Sequence, residues 1–251
     1  MPRIGRTILP RIRKSFEDRG VLVTLARSVL LPFHLLREYW AARALLRDRR
    51  TSGFDRMHDV DTEGDFDGWT YLSDLNIASP NWIHGKNYAA IEPERFRTLM
   101  AALPVDFPKF TFVDFGSGKG RALLLASEYP FRKILGLEFS GELHDVAVAN
   151  IGRFRNDAQK CLLIESRVMD FVEFEFPDEP LVLYFFDPSD EKVIGLVMKN
   201  LEQSAREHPR QVYVAYVGPR AMEFTQVAGF LESVVMDTNK QFAVYRSRSK
   251  N

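Results

Sequence analysis

In the stretch TFVDFGSGKGRALLLASEYP, residues 111–130, one aspartate and three glycines stand close together: Asp114, Gly116, Gly118 and Gly120. A turn built from glycine lets backbone N–H groups approach a ligand closely and tolerates positive φ. A carboxylate two residues before such a turn can accept from an ammonium group or hold water beside the ligand. Glu138 follows Gly120 by 18 residues, and its two oxygens can take both hydroxyls of a ribose. Asp170 lies after the next apolar stretch, where a carboxylate can accept from an adenine amino group. These residue types point to a nucleotide-like ligand.

Two common glycine loops do not fit. A phosphate-binding Walker loop ends in Gly-Lys-Ser/Thr, whereas Gly118-Lys119 is followed by Gly120, and Val113 stands where that loop's first glycine belongs. The dinucleotide fingerprint is G-x-G-x-x-G, whereas the spacing here is G-x-G-x-G, with Arg121 in place of the last glycine.

The elements that must position these residues alternate regularly. Apolar strand candidates are read at 110–115, 132–138, 160–165, 181–187 and 211–217, and helices at 118–128, 141–155 and 190–206. PERFRTLMAALP reads as a helix with Pro93 near its start. Apolar strands alternating with helices predict a parallel sheet covered on both faces. The end of the chain differs, because GFLESVVMDT and KQFAVYRS read as a hairpin.

With VDFGSGKG, LGLEFS, the acid after the third strand and this order of elements, residues 88–247 resemble the class I S-adenosylmethionine-dependent methyltransferases. The resemblance implies a Rossmann-like, mostly parallel seven-stranded sheet with helices on both faces and a C-terminal antiparallel hairpin. It implies S-adenosyl-L-methionine as the cofactor. Gly116, Ser117, Gly118 and Gly120 would surround its methionine part and ribose. Asp114 would lie near the amino group, Glu138 on the ribose hydroxyls and Asp170 near the adenine.

The acceptor is read from two further places. LYFFDPSDE ends the fourth core strand, where methyltransferases acting on adenine or glutamine amino groups often carry Asn/Asp-Pro-Pro-Tyr/Phe. Asp187-Pro188 is retained, but the second proline and the aromatic are replaced by Ser189 and Asp190. Asp187 either accepts from an amine nucleophile or turns the chain after the strand. Upstream, HGKNYAAIEPERF is similar to the segment before the cofactor strand of seven-stranded protein-lysine methyltransferases, and DFGSGKGR is similar to their glycine motif. Tyr88 then either covers the cofactor or staples the segment to the core, with Glu92 nearby. His84 reads as a hydrogen-bonded loop histidine. The expected activity is methyl transfer to an amine, a protein lysine first. A small-molecule or lipid-linked acceptor, or a non-catalytic binding module, are the alternatives.

Charge divides the chain into a basic helical arm (1–50), an acidic loop-rich segment expected to cover the active site (51–87) and the cofactor-binding domain (88–251). The formal net charge is zero, yet residues 1–50 carry 12 Lys/Arg against 4 Asp/Glu, and residues 51–85 carry 1 against 7. The arm is expected to fold back on the acidic segment. The competing use is peripheral contact with anionic membrane. Nucleic acid is not favoured as a partner, because the catalytic region is slightly acidic and lacks interleaved aromatic and basic residues. DVDTEGDFDGWT imitates a calcium loop but has Thr70 where the bidentate glutamate belongs, so it reads as a solvated ordered loop, and no metal is expected. The single cysteine, Cys161, excludes an intramolecular disulfide and reads as a buried thiol. No apolar run reaches the ~18–20 residues that span a bilayer. The expected location is cytoplasmic.

Overall fold

The computed structural model describes residues 13, 14, 17, 53–65, 68–222, 228–239 and 241–248. The fold-back of the arm lies almost wholly outside them. Of the arm's described residues, Lys14 donates from Nζ to the Gly85 carbonyl at 2.9 Å, and Arg13 pairs with Glu17.

A short helix, α1 (Gly53–His58), opens the described core. A two-residue antiparallel ladder follows, joining β1 (Trp69–Thr70) to β2 (Tyr88–Ala89). Next come α2 (Pro93–Ala101), β3 (Thr111–Phe115), α3 (Arg121–Ala126), β4 (Lys133–Glu138), α4 (Gly141–Arg153) and β5 (Ile164–Val168). The chain ends with β6 (Leu181–Phe186), α5 (Glu191–Glu207), β7 (Val212–Val217), β8 (Leu231–Asp237) and β9 (Phe242–Ser247).

Seven strands form one sheet in the order β5-β4-β3-β6-β7-β9-β8. The first five run parallel, and β9 inserts antiparallel between β7 and β8. This is the expected sheet and hairpin. The sequence causes are local. β3, β6 and β7 are buried throughout or nearly so, as their unbroken apolar runs require. α5 starts at Asp190, whose carboxylate accepts from the Val193 N–H, and it buries Val193, Ile194, Val197, Met198 and Leu201 along one stripe. Each such side chain contributes about 1.5–3 kcal/mol of burial. That stripe packs with Phe171 and Phe174 on one face of the sheet, while Phe96, Leu99 and Met100 of α2 and Ala122, Leu125 and Ala126 of α3 cover the other.

β5 departs from expectation. Its paired residues are Ile164–Val168, later than the apolar run at 160–165, and Leu162 and Leu163 are exposed. β5 is an edge strand, so it is not buried on both faces, and its register follows β4, from Ile134↔Ile164 to Glu138↔Val168. That register sets Val168 opposite Glu138, so Asp170 follows two residues beyond. Cys161 is buried as expected, and burial pushes its thiol up. Among the described residues no helix is long and apolar enough to cross a membrane.

Candidate functional site

The site lies where β3, β4, β5 and β6 end at their carboxyl edge, the usual ligand position in an open α/β sheet. β3 delivers Asp114 and then the turn Gly116-Ser117-Gly118-Lys119-Gly120. Gly116, Gly118 and Gly120 have φ of 88°, 53° and 88°. The Gly116 and Ser117 N–H groups donate to the Leu137 carbonyl at 2.9 and 3.1 Å, which ties the turn to β4.

Glu138 ends β4 and is 2% exposed. One carboxylate oxygen accepts from the Gly118 N–H and the other from the Ser140 N–H, both at 2.8 Å. Burial drives its pKa up to about 7, although the Ser140, Gly118 and Phe139 N–H groups pull it down. Each oxygen keeps lone-pair capacity beyond these bonds. Asp114 is also buried, and its carboxyl is pushed well above the usual range, first by burial and then by the charge of Glu138.

Asp170 lies two residues beyond the Val168 that pairs with Glu138. Its Oδ1 caps the turn at Phe171–Glu173 by accepting from Val172 N at 3.0 Å, and its Oδ2 accepts from Ser79 Oγ at 2.5 Å and Asn81 Nδ2 at 2.7 Å. Asp170 is therefore both a cap and an anchor for the segment above it. Asn81, Phe139, Asp170, Phe171 and Pro188 line one small cavity beside the turn.

Described residues between 53 and 91 pack against the turn. Tyr88 sits so tightly on the turn that a Cβ at Gly118 would come within 2.0 Å of its ring. Its hydroxyl donates to the Thr62 carbonyl at 2.6 Å, and burial raises its pKa. His84 hydrogen-bonds Asp190 at 2.6 Å, as a loop histidine was expected to. Burial alone would raise the Asp190 carboxyl, but the Val193 N–H and His84 hold it below its ordinary value. Glu92, the residue before α2, makes no side-chain capping bond, although its carbonyl accepts from Phe96 N at 3.0 Å.

The reading of 59–70 as a solvated loop is corrected. Lys119 and Arg121, each 3% exposed, reach up from the glycine turn into the acidic loop. Lys119 Nζ donates to the Glu63 carbonyl and to Asp65, both at 2.8 Å, with Asp61 at 3.4 Å. Arg121 pairs with Asp55 at 3.0 Å and Glu63 at 2.7 Å, bonds Thr62 and stacks over the Phe54 ring at 4.9 Å. The oxygen-rich loop thus holds ammonium and guanidinium groups, and among the described residues no group of three or more His, Cys, Asp or Glu side chains is placed to hold a metal ion.

Asp187 directly follows β6 and lines neither small cavity beside the turn. It has a φ of 41°, and its Oδ1 accepts from Tyr216 at 2.6 Å and from Arg220 Nη2 at 2.5 Å. Oδ2 takes none of these bonds. Pro188 abuts the turn, because a Cβ at Gly116 would fall 2.8 Å from its own Cβ.

The strand order, the glycine turn after β3 and the acid ending β4 now stand together. The sheet order and the hairpin are those that the resemblance to class I methyltransferases implied. No known protein family matches the sequence, and no curated protein does. Solved structures of methyltransferases are similar in chain path. A TehB-like SAM-dependent methyltransferase from Corynebacterium glutamicum has 15% identity and a TM-score of 0.43, over 64% of this chain and 90% of its own. A ribosomal-protein methylase from Lactobacillus delbrueckii has 14% identity and a TM-score of 0.46, over 62% and 78%. The 23S rRNA methyltransferase ErmE has 16% identity and a TM-score of 0.44, over 65% and 71%. The match spans only 53% and 52% of two other methylase structures. Likeness at this level says nothing about the acceptor. Chemistry rests on the chain's own residues.

Sequence reasoning missed Lys119, Arg121, Arg220, Tyr216 and Tyr184. The signal for the first two was present, since both flank Gly120 and the acidic run needed cations. A wider cleft lined by Arg206, Arg210, Arg246 and Arg248 holds none of the residues above.

Proposed function

We propose that the chain is an S-adenosylmethionine-dependent methyltransferase acting on an amine nitrogen, with a protein lysine the first acceptor to test. One observation carries the reading: Asp114 near the end of β3, Glu138 at the end of β4 and Asp170 just beyond β5 lie at the carboxyl edge of three adjacent strands, beside a turn of positive-φ glycines. The residues fit the cofactor. Beside the turn, buried Ser117 Oγ and Tyr184 Oη have no hydrogen-bond partner among the described residues, which suits a ligand's polar groups. Asp114 would take the ammonium group, Glu138 the ribose hydroxyls, and the cavity with Asp170 and Phe139 the adenine.

When bound, the cofactor supplies an activated methyl group on a sulfonium, open to in-line displacement. The chain's part is alignment and exclusion of water. Tyr88 and the acidic segment pack against the turn, and Pro188 abuts it on the β6 side. The retained Asp-Pro and the Tyr88 segment support nitrogen and lysine. The acceptors named for the similar structures range from a ribosomal protein to rRNA and do not choose among classes. One observation favours the non-catalytic alternative: Asp187 is already held by Arg220 and Tyr216. Tritiated methyl transfer from labelled cofactor into a cell lysate tests the reading. Label in protein supports it, label only in small molecules moves the acceptor class, and no label leaves a binding module.

Asp187→Ala is expected to slow methyl transfer at least about tenfold while changing cofactor affinity by less than about 1 kcal/mol. Single-turnover kinetics beside calorimetry check this. Equal rates would reduce Asp187 to a structural turn.

Glu138 gives a pH test. Its carboxyl is raised from 4.5 to about 7 in the folded protein. Between these values the folded state binds more protons than the unfolded chain. Its stabilising contribution is therefore complete below about pH 4.5 and is lost as pH rises through about 7. Glu138→Gln should remove that part of the pH dependence of thermal stability, while Asp114, raised in the same direction, keeps its own part. Ribose hydroxyls donate to the ionised form, so cofactor affinity should climb as pH rises through 7. Glu138→Gln should lose the climb and roughly 1.5–3 kcal/mol at pH 8. A wild-type affinity that ignores pH would take Glu138 off the ribose.

A further inference from the structure

Tyr184 is assigned no role by the glycine motif, yet it shares a cavity with it. Asp114 on β3 and Tyr184 on β6 are directly opposite in the parallel ladder. They line one small cavity with Tyr88, Gly116, Ser117 and Phe186. Tyr184 is 1% exposed and Asp114 3%. The Tyr184 hydroxyl and Ser117 Oγ are buried without hydrogen-bond partners among the described residues. Burial and then the Glu138 charge raise the Asp114 carboxyl.

Two buried hydroxyls without partners among the described residues, lining one cavity with a buried carboxyl, are costly in the protein alone, since a buried hydrogen-bonding group left unpaired keeps its desolvation penalty. The ring itself is well seated: it stacks on Phe112 at 5.7 Å and meets Phe96 edge-on at 5.5 Å. Tyrosine therefore stands where phenylalanine would satisfy the packing, and the hydroxyl needs a partner that the described fold does not provide.

The chemistry of the three groups defines that partner. Asp114 is an acceptor that favours a cation. The Tyr184 and Ser117 hydroxyls can each donate and accept. A zwitterionic amino acid end, with ammonium and carboxylate on one carbon, matches this set. We propose that Tyr184 is a specificity-determining residue that reads the amino acid end of the cofactor beside Asp114, an inference that rests on the cofactor reading above. The hydroxyl selects nucleosides that carry this charged end over those that lack it.

The test compares S-adenosylhomocysteine with 5′-methylthioadenosine, which has the nucleoside and thioether but no amino acid end. Both are titrated calorimetrically into wild type and Tyr184→Phe, which keeps the stacked ring. The expected result is about tenfold weaker binding of S-adenosylhomocysteine by the variant and unchanged binding of methylthioadenosine. The ligand-free variant should melt no lower than wild type, because an unpartnered buried hydroxyl has been removed. Unchanged affinity for both ligands overturns the proposal. Equal weakening of both also overturns it, because Tyr184 would then act through packing. Wild type that binds neither ligand defeats the cofactor reading itself, a result separable from the other two.

Discussion

Gly118→Val is expected to weaken cofactor binding at least about 100-fold, on the order of 3 kcal/mol, while the seven-stranded sheet remains folded. Two costs combine. At a φ of 53° a β-branched residue is strained by roughly 1–3 kcal/mol. The new Cβ would also stand 2.0 Å from the Tyr88 ring, which is tethered through its hydroxyl to Thr62. The ring must leave its place on the turn, or the turn must move. Either change alters the Gly118 N–H that donates to Glu138. Titration with S-adenosylhomocysteine, beside circular dichroism of the same sample, measures the effect. Wild-type affinity in the folded variant would mean that the ligand does not use this turn.

Arg121→Met should cost about 3–5 kcal/mol of stability, the range for breaking a buried ion pair from one side. The substitution leaves Asp55, whose side chain is 1% exposed, without the guanidinium that stands 3.0 Å away. Asp55 still accepts from Thr62 and Glu63, so part of its solvation survives. The stacking on Phe54 is lost as well. In a chain of this size the midpoint should fall by roughly 10 °C. Asp55→Asn combined with Arg121→Met should recover much of the loss, because the uncompensated charge is gone. Urea unfolding of the two single variants and the double variant gives the coupling. Additive effects, or a loss under about 1 kcal/mol, would show that the network is not what secures the acidic segment.

The cofactor end of the site was legible because its requirements are local. A glycine turn, a preceding aspartate and an acid at the end of the next strand follow one another at fixed spacing, and the structure brings Asp114, Gly118 and Glu138 together. The sheet was legible too, since β3, β6 and β7 are continuous apolar runs. β5 was displaced because an edge strand is chosen by its pairing with β4, which an apolar run does not report. The acidic segment was misread for a related reason. Its acidic residues were visible, but their partners Lys119 and Arg121 lie more than 50 residues away, within the motif already given to the ligand. Asp187 shows the same limit. Nothing near it in sequence announces Arg220 and Tyr216, which the β6–β7 pairing and the loop after β7 bring to its carboxylate.

The most direct test is calorimetric titration of the wild-type chain at pH 8 with S-adenosylmethionine, S-adenosylhomocysteine, NADH and ATP in turn. The account predicts one-to-one binding of the first two and none of the others, because the Gly116–Gly120 spacing with Asp114 and Glu138 suits a nucleoside bearing an amino acid and not a phosphate chain. Binding of NADH or ATP at this turn, or folded protein that takes up neither sulfur compound, would contradict it.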